Sequence, residues 1–153
     1  MVRKIIKFIL LLIWLIVIFC FSSDSGFDST NKSDGFIIST IEFIKGSELT
    51  SLEKEMYIDK LVTPVRKGAH FIEYFVLGIL VYSLFSEFFY NKKLIIYSII
   101  LCFLYACSDE FHQLFVAGRS AKFLDVIIDT LGSFTGIFIF DVIKNKIYRK
   151  SML

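Results

Sequence analysis

Proline is almost missing from this 153-residue chain, with Pro64 alone, and the sequence holds one tryptophan and two histidines. One proline leaves long stretches free to run as unbroken helix. The three cysteines, Cys20, Cys102 and Cys107, lack the C-x-x-C spacing of a metal site and lie within or at the ends of apolar segments. Buried inert thiols are expected, with a Cys20–Cys107 disulfide as the alternative. No Ser or Cys stands in a recognisable nucleophile motif, and neither a cofactor nor a nucleic-acid partner is expected.

What is abundant is apolar. Hydrophobic residues make up 56% of the chain and eighteen are Phe, more than a single soluble core of this size hides from water. A helix rising about 1.5 Å per residue needs roughly 20 apolar residues to cross a hydrocarbon layer about 30 Å thick. Four stretches approach that length, at about 5–21, 68–90, 94–111 and 123–143. The expected fold is all-α, a single domain over 1–153 formed by an integral membrane bundle of four transmembrane helices, with the lipid bilayer as its solvent. The first stretch exceeds the usual signal-peptide core of about 7–15 residues, so a retained anchor is expected, with Lys7 snorkelling to the interface.

Basic residues flank the spans unevenly: Arg3, Lys4 and Lys7, then Lys92 and Lys93, then Lys144, Lys146, Arg149 and Lys150. The excess of Lys and Arg on cytoplasmic loops predicts a multi-pass protein of the cell membrane with both termini cytoplasmic. The segment 22–66 and the loop 112–122 then face outward. Residues 22–35, rich in Ser, Asp and Gly, read as a loop. Beyond them Ile37, Ile41 and Ile44 recur at helical spacing, and Leu49, Leu52 and Met56 share one face of a second amphipathic helix. Thr50 and Glu53 have capping-box spacing for that second helix, and Pro64 is expected to end it.

The informative feature is where ionisable groups enter apolar stretches. Arg66, Lys67, His70 and Glu73 open the second span, Tyr105, Asp109, Glu110, His112 and Gln113 close the third, and Asp125 and Asp129 open the fourth after Arg119 and Lys122. All fall at the outer ends of their helices. A carboxylate facing lipid at mid-bilayer costs roughly 2.5–3.5 kcal/mol, so Glu73, Asp109, Asp125 and Asp129 are expected to face inward and pair with Arg66, Lys67, Arg119, His70 or His112 around an outward-opening pocket. Glu87 and Asp141, near the inner ends, have Lys92, Lys93, Lys144 and Lys146 for neighbours and read as ordinary. Gly132 and Gly136 form a G-x-x-x-G pair on one stripe with Asp125 and Asp129, a face that admits a neighbouring backbone, with Gly78 as its contact.

The segments RKGAHFIEYFVLGIL at 66–80 and LYACSDEFHQLFVAGRSAKFLDVIIDTLGSFTG at 104–136, and more loosely FSSDSGFDSTNKS at 21–33, resemble the VanZ-like family, named for a protein associated with teicoplanin resistance. The family's recurrent polar residues fall on Lys67, His70, Glu73, Tyr74, Asp109, Glu110, His112, Gln113, Arg119, Asp125 and Asp129. Ala117 stands where the family commonly has Pro before Gly-Arg. The resemblance implies a bacterial cell-envelope membrane protein, in some members linked to glycopeptide or lipoglycopeptide tolerance.

Three functions compete. A non-enzymatic pocket would bind an envelope lipid head group or lipid-linked precursor, with Arg66, Lys67 and Arg119 on its anionic oxygens. An enzyme acting on an envelope lipid would use Asp109 or Glu73 to orient His112 or His70 as general base. A metal site would draw on Asp109-x-x-His112 and His70-x-x-Glu73, against which the nearby cations argue. The bland alternative is a salt-bridge knot that only pins helices together.

Overall fold

A computed structural model describes residues 1–150 and contains five helices: α1 (Val2–Ser23), α2 (Gly26–Lys45), α3 (Ser51–Phe85), α4 (Asn91–Gln113) and α5 (Phe123–Lys150). Arg149 and Lys150, part of the basic flank, have side chains outside the described residues. Among the described residues there is no strand, and α1, α3, α4 and α5 are each long and apolar enough to cross a membrane. Their outward faces agree with that reading. Helix α1 buries only Leu11, Ile18 and Ser22 and leaves Ile6, Ile13, Ile16 and Phe19 open, surface that lipid accepts and water does not.

The centre of the bundle is the crossing of α3 and α5, which share the largest interface. Its cause is legible in the glycine stripe. A Cβ at Gly136 would stand 2.1 Å from the Phe75 carbonyl oxygen, one at Gly132 2.4 Å from that of Phe71, and one at Gly78 2.3 Å from that of Ser133. The backbones touch where side chains would otherwise hold them apart. Tyr74, Leu77, Val81, Cys102, Ala106 and Ile137 fill the core around this contact. Helix α1 is tied on by Trp14 Nε1, which donates to the Glu73 carbonyl at 2.9 Å, and by Tyr105, whose hydroxyl donates to the Leu15 carbonyl at 2.8 Å.

Several expectations need correction. Residues 26–35 are helical, because Ser25 caps α2: its Oγ accepts from the Asp28 N–H at 3.1 Å and donates to the Asp28 carboxylate at 2.6 Å. Pro64 does not end a helix, since α3 runs through it for 35 residues. Both Pro64 and Lys60, whose carbonyl the ring deprives of a donor, are exposed, so solvent can satisfy that carbonyl. The Thr50–Glu53 capping box does form. Of the amphipathic faces, Ile37 and Leu49 are buried, but Leu49 precedes α3, and Ile44, Leu52 and Met56 are exposed. Glu42 explains the placement of Leu49: its carboxylate accepts the Leu49 N–H at 3.0 Å, a bond that holds Glu42 below the usual carboxylate range.

At about 1.5 Å per residue α3 is roughly 50 Å long, well beyond a 30 Å hydrocarbon layer. Its first turns and α2 therefore stand proud of the apolar layer at one end of the bundle, the cleft end. The opposite, basic end is sealed differently from the expectation. Glu87 takes Lys7 at 2.6 Å and Arg3 at 2.7 Å, both from α1, so Lys7 is a salt-bridge partner and not a free snorkelling lysine. Asp141 accepts from the Tyr82 hydroxyl and, at 3.1 Å, from Asn145. All three cysteines are free, and of them Cys20 is exposed rather than buried.

Candidate functional site

Three helix ends and one loop build the cleft end. The close approach of α5 to α3 at Gly132 brings Asp129, one turn earlier, against the same stretch of α3 that carries His70, Glu73 and Tyr74. His70 Nδ1 lies 3.8 Å from Asp129 Oδ1 and 3.9 Å from Glu73 Oε2, in reach of both carboxylates and hydrogen-bonded to neither. Asp129 is fully buried, and neither of its oxygens meets a donor among the described residues. The Tyr74 hydroxyl, His70 Nδ1, one oxygen of Glu110 and one of Asp125 share that condition. Buried polar atoms are usually paired, so this group of unmet atoms is unusual for a structural core.

Around it the loop 114–122 turns on Gly118, whose φ of 73° only glycine adopts without strain. The turn closes without a proline at Ala117, since the Ala117 carbonyl accepts from Gly26 N–H at 2.9 Å and Arg119 N–H reaches the Val116 carbonyl at 3.1 Å. Gly26 itself has no room for a side chain, because a Cβ there would meet the Gly118 carbonyl oxygen at 2.1 Å. Glu110 fixes the far side by accepting the Lys122 N–H at 2.8 Å.

Two cavities open here. One, of about 240 Å³, lies between Phe21, Ser29, Lys32, Val65, Ala69 and Glu73; the other, of about 150 Å³, lies between Thr63, Lys67, Gln113, Ser120, Lys122 and Asp125. Arg66, His70 and Arg119 line both and form the wall between them. The first has Phe21, Val65 and Ala69 in its wall beside charged and polar side chains, including Asp24 and Ser33, and the second is lined almost wholly by polar residues.

The candidate residues divide on this frame. Arg66, Lys67, His70, Glu73, Gln113, Arg119 and Asp125 line a cavity. Asp109, Glu110 and Asp129 are buried behind the lining, where Asp109 accepts from Gln113 at 3.2 Å. His112 is elsewhere. Its Nε2 lies 3.1 Å from Ser23 Oγ and its ring packs on Phe19, so it serves the end of α1 and not Asp109. The three-residue spacing placed the two on adjacent faces, and the packing of α1 decided which way the ring turned.

Arg119 also departs from expectation. It pairs with neither Asp125 nor Asp129; it donates to the backbone carbonyls of Phe21 at 2.9 Å and Asp24 at 3.0 Å, and at 3.4 Å to Gln113 Oε1. Both carbonyls lie at the C-terminal end of α1, where the helix leaves them few partners: that of Phe21 otherwise meets only the capping Asp24 N–H, at 3.4 Å. Burial, and next the charge of Arg66, pull the Arg119 pKa below its ordinary value. Arg66 and Lys67 make no ion pair or hydrogen bond among the described residues, whereas Lys32 is held by Asp24 at 2.6 Å. Asp24, Ser29, Lys32 and Ser33 were not singled out as site residues, although they lie within FSSDSGFDSTNKS. Among the described residues no group of three His, Cys, Asp or Glu side chains is arranged to hold a metal ion.

Four apolar helices crossing a bilayer, closed at one end by ion pairs and opening at the other into a polar cleft, define a small multi-pass helical membrane protein. The chain belongs to the VanZ-like family: the family described as VanZ/LLP1 matches residues 7–144, which takes in most of each of the four apolar helices. No curated protein and no solved structure matches the chain.

Proposed function

We propose that the chain is a bacterial cell-envelope protein whose cleft binds the anionic head group of an envelope lipid or lipid-linked precursor. The observation that carries this reading is the placement of Arg66 and Lys67, two cations without a partner among the described residues, on the walls of adjoining cavities. Two guanidinium groups, Arg66 and Arg119, share the wall and repel, a strain that an anion between them relieves. A cavity with Phe21, Val65 and Ala69 in its wall beside a polar one suits an amphiphile whose phosphate sits at the shared wall. Envelope lipids carry such phosphates, and tolerance to teicoplanin-type glycopeptides is the cellular phenotype to score.

Binding of a polyprenyl phosphate to the purified full-length protein tests the reading. Charge-assisted hydrogen bonds are worth about 1.5–3 kcal/mol, so Arg66→Gln should weaken binding by roughly tenfold to a hundredfold while leaving the melting temperature near that of the parent. Unchanged affinity in Arg66→Gln and in Lys67→Gln would remove the basis of the proposal.

A second reading, an enzyme acting on the same lipid, is favoured by one observation: His70 stands between Glu73 and Asp129. In this form the general base is His70, because His112 is engaged by Ser23. The outcome that selects it is conversion of the bound lipid, seen by mass spectrometry and lost in His70→Gln with binding retained.

The cleft faces outward in this proposal, with both termini in the cytoplasm. In a chain with Cys20, Cys102 and Cys107 replaced, single cysteines at positions 32 and 117 should react with an impermeant thiol reagent added to whole cells, and one at position 92 should not. Labelling in the reverse sense would put the cleft on the other side.

A further inference from the structure

The basic end carries a groove of its own, of about 480 Å³, bounded by Arg3 and Lys7 of α1, Ser83 and Ser86 at the end of α3, and Phe140, Ile143, Lys144 and Ile147 of α5. Along α5 its lining runs from Phe140 and Ile143 to Lys144, with Ile147 one turn nearer the end of the bundle. Phe140 and Ile143, the latter about half exposed, continue the apolar surface of α5, while Arg3 and Lys144 stand nearer the end of the bundle. Arg3, Lys4, Lys7 and Lys144 face two acids, Glu87 and Asp141, which leaves an excess of positive charge. Glu87 is shared between Arg3 and Lys7. Asp141, one turn before Lys144, is taken by the Tyr82 hydroxyl and Asn145. Lys144 is left over the Tyr82 ring, with its Nζ 5.6 Å from the ring centroid, at the mouth of the groove.

We propose that this groove holds an anionic glycerophospholipid of the surrounding bilayer, its phosphate between Arg3 and Lys144 and an acyl chain running inward along Ile143 and Phe140. The site is independent of the cleft at the other end. Charge complementarity favours an anionic lipid over a zwitterionic one, whose ammonium would be brought to a rim already positive. The lipid would fill the gap between α1 and α5, two helices whose hold on each other at this end is otherwise indirect, through Glu87 and α3.

The test is native mass spectrometry of the full chain released from nanodiscs of equal parts dioleoyl phosphatidylglycerol and dioleoyl phosphatidylcholine. The parent protein should retain phosphatidylglycerol in preference. A basic residue near an anionic surface contributes about fivefold, so Arg3→Gln with Lys144→Gln should lower that preference by roughly an order of magnitude. Ile143→Trp, which fills the apolar floor and leaves every charge in place, should also reduce the adduct. Arg66→Gln, at the cleft end, should leave it unchanged. A preference that survives the double variant, or that falls in Arg66→Gln instead, overturns the site. Loss in the charge variants with full retention in Ile143→Trp also overturns it, since attraction to the rim would then need no groove.

Discussion

Gly136→Ala should reduce folded protein in the membrane sharply, although alanine is the better helix former by about 1 kcal/mol. Propensity and packing make opposite demands at this position. A methyl on residue 136 would meet the Phe75 carbonyl oxygen at 2.1 Å, and the obstacle is backbone, which cannot turn aside as a flexible side chain can. Overpacking a core costs about 1–3 kcal/mol where side chains yield; here α5 must move off α3 as a unit, so the upper end of that range or more is expected. Gly136→Leu should be worse still. Gly35 supplies the control, since no atom lies within 4 Å of a Cβ built there and its φ is ordinary, so Gly35→Ala should be neutral or mildly stabilising. Leu131→Phe, on an exposed face of α5, should accumulate like the parent. Thermal unfolding in detergent and quantitative blotting of membranes read all four. Normal accumulation of Gly136→Ala would mean that the stripe faces lipid and that Asp129 does not lie against His70.

The glycine stripe was readable from sequence because its signal is local: Gly132 and Gly136 four apart, with Asp129 and Asp125 on the same face. The capping box at Thr50 and Glu53 was readable for the same reason. Helix α2 was not, because its first ten residues are the Ser, Asp and Gly of a loop, and the helix depends on one cap at Ser25 and on packing against α3. Pro64 misled in the other direction. A proline deprives the carbonyl four residues earlier of its donor, and exposure of that stretch lets water take the donor's place, which lowers the penalty without removing it. In the site, the inward turn of the acidic residues followed from the cost of charge in lipid: Asp109 and Asp129 are buried, and Glu73 and Asp125 are half-buried. Their partners did not follow. Glu87 reaches across to Arg3 and Lys7, more than seventy-five residues away in the chain, and His112 goes to Ser23. Both depend on where α1 docks, which no periodicity in α1 specifies, since it is apolar on every face.

Arg119→Ala is expected to destabilise the protein and Arg66→Gln to leave it stable, although both residues line both cavities. The difference lies in what each holds. Arg119 donates to the carbonyls of Phe21 and Asp24, the first otherwise met only by a long 3.4 Å bond from the Asp24 N–H, and so fastens the end of α1 to the loop 114–122. Hydrogen bonds to a charged group are worth about 1.5–3 kcal/mol, and with Arg119 only half-buried a loss of about 2–3 kcal/mol is reasonable. Arg119→Lys should recover less than half of it, since one ammonium does not span two carbonyls as a guanidinium fork does. Asp129→Asn should give no rescue in the double variant, because the carboxylate is not the partner of Arg119. Rescue would restore the buried ion pair, whose breaking costs about 3–5 kcal/mol. The measurement is melting temperature beside polyprenyl phosphate affinity for each variant. If Arg119→Ala keeps its melting temperature and loses the lipid, its bonds to α1 are dispensable, and Arg119 acts with Arg66 as a direct contact of the anion.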